Sequence, residues 1–251
     1  MSRVSPLSLK QRDQYLVIAS LAVLVIAAWV YLIVLDTSIS RIQPAIHVWT
    51  PVDFIAMFLM WAVMMIGMMV PSAMRTVLIY SRIVMNAQSR SQAIAPTHLF
   101  VSGYIVIWSL FSLLATTMQW LLEMAALLSP MMTTTSSYLG AALLICAGVY
   151  QLTPLKDACL KHCQSPAAFI ASHYRKGSYG AFQLGMQHGI YCLGCCWALM
   201  GLIFLGGVMN LMWILAISLF VLAEKLLPPR IRSVRITGMT MILSGLLYLL
   251  A

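Results

Sequence analysis

Charge is what this sequence has least of. Of 251 residues, only 8% are Asp, Glu, Lys or Arg, against roughly 25% in an ordinary soluble domain. Carboxylates are the scarcest, with six acids against fifteen basic residues. That scarcity excludes a water-soluble globular chain, and it leaves no pair of carboxylates at helical spacing within an apolar segment for general acid–base work. There is also no G-x-S-x-G and no phosphate-binding glycine loop, so hydrolase and nucleotide-triphosphatase chemistry have no support. The net charge of +9 does not mark a nucleic-acid binder, because the basic residues are not gathered in a soluble domain. Internal repeats and low-complexity segments are absent too, which leaves a single domain.

What remains is 62% hydrophobic. A helix needs about 20 mostly apolar residues to span a bilayer, and seven segments meet or approach that length: 15–35, 53–73, 98–121, 135–152, 180–207, 211–227 and 236–250. The fold class is therefore an all-α, polytopic transmembrane bundle. Arg3, Lys10 and Arg12 precede the first apolar run. That run exceeds the ~7–15 residues of a signal-peptide core and no A-x-A site follows it, so it reads as a retained first span. Fourteen of the fifteen basic residues fall on alternate connections, on the side of the N-terminus. The positive-inside rule then gives N-in and C-out, with membrane lipid as one partner. The connection 153–179 is the only sizeable polar piece. Its start, "TPLKDACLKHCQSP", predicts a short cytoplasmic helix over about 153–166, with Thr153 as N-cap, Pro154 at the first position and Pro166 past the end.

The fifth segment contains "YCLGCCWALM", residues 191–200. At ~100° per residue, His188, Cys192 and Cys195 fall within about 60° of one another, with Cys196 at the margin. A single buried cysteine is usually an inert small hydrophobe. Three within five residues, with a histidine in register, point to a ligand set, because an imidazole in a span needs a partner. Glycines at 185, 189 and 194 suit close helix packing.

The second segment, "MFLMWAVMMIGMMVPSAM", holds seven of the nineteen methionines. Met60, Met64 and Met68 recur at i, i+4 and i+8, beside Met65 and Met69. Methionine often serves only as gap-filler, but leucine would fill lipid-facing positions equally well. At ~1.5 Å per residue, Met65 and Cys192 each lie about 18 Å from the end at which their helix enters, which predicts a site near the midplane. Thioether and thiolate donors together select a soft metal, Cu(I) first, with zinc or iron as alternatives. Pro71 is expected to loosen the helix near its inner end.

A second constellation, Cys159, His162 and Cys163, stands at i, i+3, i+4 on one face of the short helix. In a reducing cytosol such a cluster binds metal or does chemistry rather than forming a disulfide. Trp61 and Trp197 lie too deep for interfacial anchors and are expected to pack beside the site, with Glu224 as a supporting or proton-handling group. Asn210 is expected to cap a turn, Cys146 to pack, and His47, His98 and His173 to be solvated.

The stretches "MWAVMMIGMMVPSA", "YQLTPLKDACLKHCQSP", "GMQHGIYCLGCCWALM" and "GVMNLMW…EKLLP" resemble a bacterial family of predicted metal-binding integral membrane proteins, domain of unknown function 2182. The resemblance implies a metal site in the inner membrane and carries no settled activity. The expectation is a copper transporter or chaperone rather than an enzyme. His188, Cys192, Cys195 and Cys196 would face Met60, Met64, Met65 and Met68 as the metal site, and the 159–163 cluster would capture or release the ion. The partner would be a copper-requiring membrane enzyme or a soluble metallochaperone. Two rivals stand beside it. The C-x-x-C of Cys192 and Cys195 suits a membrane thiol oxidoreductase, and a structural subunit would use the same residues only for packing.

Overall fold

The structure is a computed structural model that describes residues 6–39, 49–88, 94–129, 132–227 and 231–250. Arg3, His47, Arg41, Arg90 and Arg230 lie outside the described residues, as do the side chains of Lys10, Arg12 and Arg232. The chain is all-helical: α1 Pro6–Ile39, α2 Pro51–Gln88, α3 Thr97–Met124, α4 Ser137–Gln151, α5 Pro154–Gln164, α6 Pro166–His173, α7 Gly177–Gly201, the short α8 Ile203–Gly206, α9 Leu211–Leu226 and α10 Ile231–Leu250.

Each of the seven apolar segments is a helix. Four described helices are long and apolar enough to cross a membrane: α1, α2, α3 and α7 with α8. A fifth is added if α4 and α5, which meet at a 66° bend, count as one broken span. α9 has only 16 residues, about 24 Å at 1.5 Å per residue, against a hydrocarbon core of about 30 Å. The apolar part of α10, Val234–Leu250, is also short of the full length.

α2 does not end after Pro71 but runs through it to Gln88. Proline removes a single ladder bond, and the residues beyond it still carry an apolar stripe. Val77, Tyr80 and Val84 are buried and cluster with Phe169 and Ile170 of α6. The carbonyls just before the proline are occupied, Met68 O by the Ser218 hydroxyl at 3.5 Å and Met69 O by Tyr104 and Ser72 at 2.9 and 2.8 Å.

The caps predicted from sequence are present. The Thr153 side chain accepts from Lys156 N with Pro154 at the first helical position, and Asn210 accepts from Trp213 N to start α9.

The tightest seam joins α3 to α7. A Cβ at Gly185 would lie 1.9 Å from the Phe100 carbonyl oxygen, and one at Gly103 would lie 2.1 Å from that of Phe182. Only glycine on each side lets the backbones approach this closely. α4 and α10 form a second such pair, with Gly148 against the Gly238 carbonyl. α2 and α7, by contrast, meet through long side chains, and that gap holds the sulfur atoms.

Two clefts at one end of the bundle gather charges from well-separated parts of the chain. Arg75, Lys161 and Lys225 line one, and Lys161 and Arg235 line the other. At the opposite end Glu123 accepts a hydrogen bond from Trp49.

Candidate metal centre

Cys192 is the hub of the site. It lies in α7 with 1% exposure, and its sulfur accepts from the Lys225 ammonium of α9 at 2.9 Å. The Tyr104 hydroxyl of α3 stands 3.1 Å away and the Ser72 hydroxyl of α2 at 4.0 Å. Lys225 also donates to Ser72 at 3.0 Å. Four helices therefore converge on one thiol. Lys225 stands in the last turn of α9, and its side chain carries the ammonium to the thiol.

Around this hub the two cysteine constellations of the sequence form one. α5 lies along α7 with all three of its candidate ligands turned toward it. Cys163 is buried on the side of α5 that faces the Cys192 and Cys195 thiols. Cys159 packs over Gly194, where a Cβ would come within 2.7 Å of its sulfur. The His162 ring stacks on Tyr191, centroids 4.1 Å apart and nearly parallel.

Cys195 and Cys196 both donate their S–H to the Cys192 carbonyl, at 3.0 Å each. Among the described residues no three His, Cys, Asp or Glu side chains are posed as a ready-made metal cage. The Cys195 and Cys196 thiols are instead hydrogen-bonded to the backbone. All six cysteines are free.

Of the methionines, Met69 reaches the cluster, its sulfur 4.0 Å from that of Cys196. Met60, Met64, Met65 and Met68 are all buried, at 2% exposure or less. They face the interior of the bundle, within the same core cluster. His188 is 2% exposed and packs against the Phe100, Tyr104 and Phe169 rings. Its Nδ1 is buried without a hydrogen-bond partner, a lone pair or N–H left open in an apolar wall.

Two supporting residues lie elsewhere than beside the thiols. Trp61 is buried near the far end, donating to Gln119 at 2.7 Å, while Trp197 is 49% exposed and sits edge-on to Tyr150. Glu224 forms an ion pair with the fully buried Lys156 of α5 at 2.8 Å, with Gln151 bonded to both. This buried lock fixes α5, and with it Cys163, against α9. A cleft of ≈ 290 Å³ at the basic end is lined by Arg75, Lys161 and Lys225.

Lys225, Tyr104, Ser72 and Met69 are the site residues that sequence reasoning misses. The available signal was a lysine one residue from the predicted supporting glutamate and a methionine row longer than the four positions chosen from it.

A model of the copper chaperone family PpoB2 matches residues 58–248, most of the chain. The chain belongs to this family. The match ties the protein to copper, where the resemblance seen in the sequence reached only an unspecified metal. The matched span contains all six cysteines, the methionines from Met60 to Met69, and Lys156, Lys161 and Lys225. No curated protein and no solved structure matches the chain.

Proposed function

We propose that this protein is a seven-span copper chaperone of the bacterial inner membrane, N-in and C-out, that holds Cu(I) on a thiol-rich site and delivers it to a membrane or periplasmic enzyme. The observation that carries the reading is the convergence on Cys192: four cysteines, the Met69 thioether and the unpartnered His188 nitrogen gather around one buried thiol with an ammonium against it. Thiolate and thioether donors select Cu(I). The Lys225 ammonium is a cation already in place beside a sulfur that a metal cation would bind, and it lowers the cost of a buried thiolate.

Copper enters, in this reading, from the basic end through the cleft lined by Arg75, Lys161 and Lys225, and Cys163 and Cys159 on α5 meet it first. Cys192, Cys195 and Cys196 then turn off the backbone to bind it, with Met69 and His188 completing the set. Met60, Met64, Met65 and Met68 line the interior toward the other end. The bilayer placement is supported by the exposed aliphatic faces: Leu110 and Leu114 on α3, and Leu243, Leu247 and Leu250 on α10, stand in the open, where water would drive aggregation and lipid would not.

The test is to purify the full chain in detergent under reducing, anaerobic conditions and measure bound metal by elemental mass spectrometry, beside a Cys192→Ser/Cys195→Ser variant. Stoichiometric copper in the wild type that is diminished in the variant supports the site. A wild type that is metal-free and refuses added Cu(I) overturns it, and the C-x-x-C then points to thiol–disulfide exchange.

A further inference from the structure

A second cluster of soft donors stands at the end of the bundle away from the thiols. Gln119 of α3 is fully buried. Its amide oxygen accepts from the Trp61 indole at 2.7 Å, which fixes the side of the amide that carries nitrogen, since an indole only donates. Three acceptors then converge on that nitrogen: Glu123 Oε1 at 2.9 Å, Met132 Sδ at 3.4 Å and Met57 Sδ at 3.9 Å. An amide nitrogen has two hydrogens to give, and three acceptors exceed them. Glu123 receives a second N–H from Trp49 at 2.6 Å but faces no cationic side chain among the described residues.

The three acceptors come from three segments: α2, α3 and the connection between α3 and α4. That connection is braced by the Leu128–Thr134 bridge and by Val208 N on the Met132 carbonyl. Met132 itself stands at φ 56°, a left-handed conformation that a side-chain-bearing residue adopts only where its surroundings hold it. The brace thus spends conformational freedom to aim a thioether inward.

The geometry points to a second copper site formed by Met57, Met132 and Glu123, with the Gln119 amide nitrogen occupying the ion's position. This rests on the copper reading of the thiol cluster and extends it to the opposite end of the molecule. Two thioethers with one carboxylate select Cu(I) over the hard cations, which require all-oxygen shells. Thioethers also suit an outward face, because in an oxidising compartment they form no disulfides, whereas paired thiols do. Met57 is about 18 Å along α2 from Met69 at 1.5 Å per residue, and Met60, Met64 and Met68 fall between them at turn-by-turn spacing. The protein then has an inner thiol site that receives copper and an outer thioether site that releases it.

Anaerobic titration of the detergent-purified full chain with Cu(I), against a chromophoric Cu(I) chelator, tests this. Wild type is expected to show two classes of site. Met57→Leu/Met132→Leu should abolish one class and leave the other intact, and Glu123→Gln should weaken that same class by about tenfold or more. X-ray absorption of a Cys192→Ser/Cys196→Ser variant loaded with Cu(I) should show a mixed sulfur and oxygen shell. Titration of the methionine variant and of Glu123→Gln that matches wild type in both classes would overturn the outer site. Failure of the inner reading shows differently, as a cysteine variant that keeps both classes.

Discussion

The two sides of α7 hold their neighbours in opposite ways. Toward α3, glycines bring backbone against backbone, and no atom of a side chain could be added at Gly185 without meeting the Phe100 carbonyl. Toward α2, α5 and α9, the helix presents Cys192, Cys195 and Cys196, and contact is made by thiols, a thioether, the Ser72 hydroxyl and an ammonium. A glycine seam has one arrangement and no slack. Side chains meeting through sulfur and long flexible stems can change rotamer without moving a helix, which is what loading and unloading an ion requires. One face of α7 is a fixed wall, and the other, in the copper reading proposed above, is the lining of the site.

The largest way to break that comparison is on the polar side, at the lock that holds α5 in place. Lys156→Met leaves Glu224 buried without its cation, and removing one partner of such a pair costs about 3–5 kcal/mol. The double variant Lys156→Met/Glu224→Leu should recover most of it, since an apolar pair of similar volume is often neutral. Unfolding free energies in detergent check both, and a double variant no better than the single would show that the charges are not the cause. Next comes the wall itself. Gly185→Leu drives a side chain into the α3 backbone and should cost about 3 kcal/mol, the upper end of overpacking penalties. The same measurement reads it, and a silent Gly185→Leu would mean the seam is not fixed.

Much of this was legible in the sequence for a simple reason: long apolar runs of about 20 residues are best satisfied as helices, so hydropathy alone locates them. The Thr153 and Asn210 caps were legible because a cap is a local hydrogen bond. The thiol face of α7 was legible because helical geometry places His188, Cys192 and Cys195 together whatever surrounds them. What the sequence could not show were contacts between helices. Nothing local says that α5 folds onto Gly194 and brings Cys163 to Cys192. Lys225 looked like an interfacial charge at a helix end, and only its long stem, laid along the bundle, carries the ammonium to a thiol. Trp197 looked deep by counting, but its helix faces outward there.

Smaller effects sharpen the comparison within the lining of the site. Met69→Leu conserves volume and should change stability by less than about 1.5 kcal/mol. It removes the thioether 4.0 Å from Cys196, and Cu(I) affinity at the thiol site should fall about tenfold, in the range seen for groups supporting a metal. Chelator competition measures this, and unchanged affinity would take Met69 out of the ligand set.

The smallest expected effect discriminates best. Met64 is as buried as Met69, at 1% against 0% exposure, and lies on the same helix in the same core cluster. Burial, chemistry and packing cost are therefore matched, and only contact with a thiol differs. Met64→Leu should change stability as little as Met69→Leu does, and should leave thiol-site affinity within about twofold of wild type, a shift of roughly 0.4 kcal/mol. If the two variants lose copper equally, proximity to Cys196 is not what makes a methionine a ligand here, and the whole row binds as a unit. If only Met69→Leu weakens binding, the sulfurs of α2 divide into one that holds the ion and others that line its path.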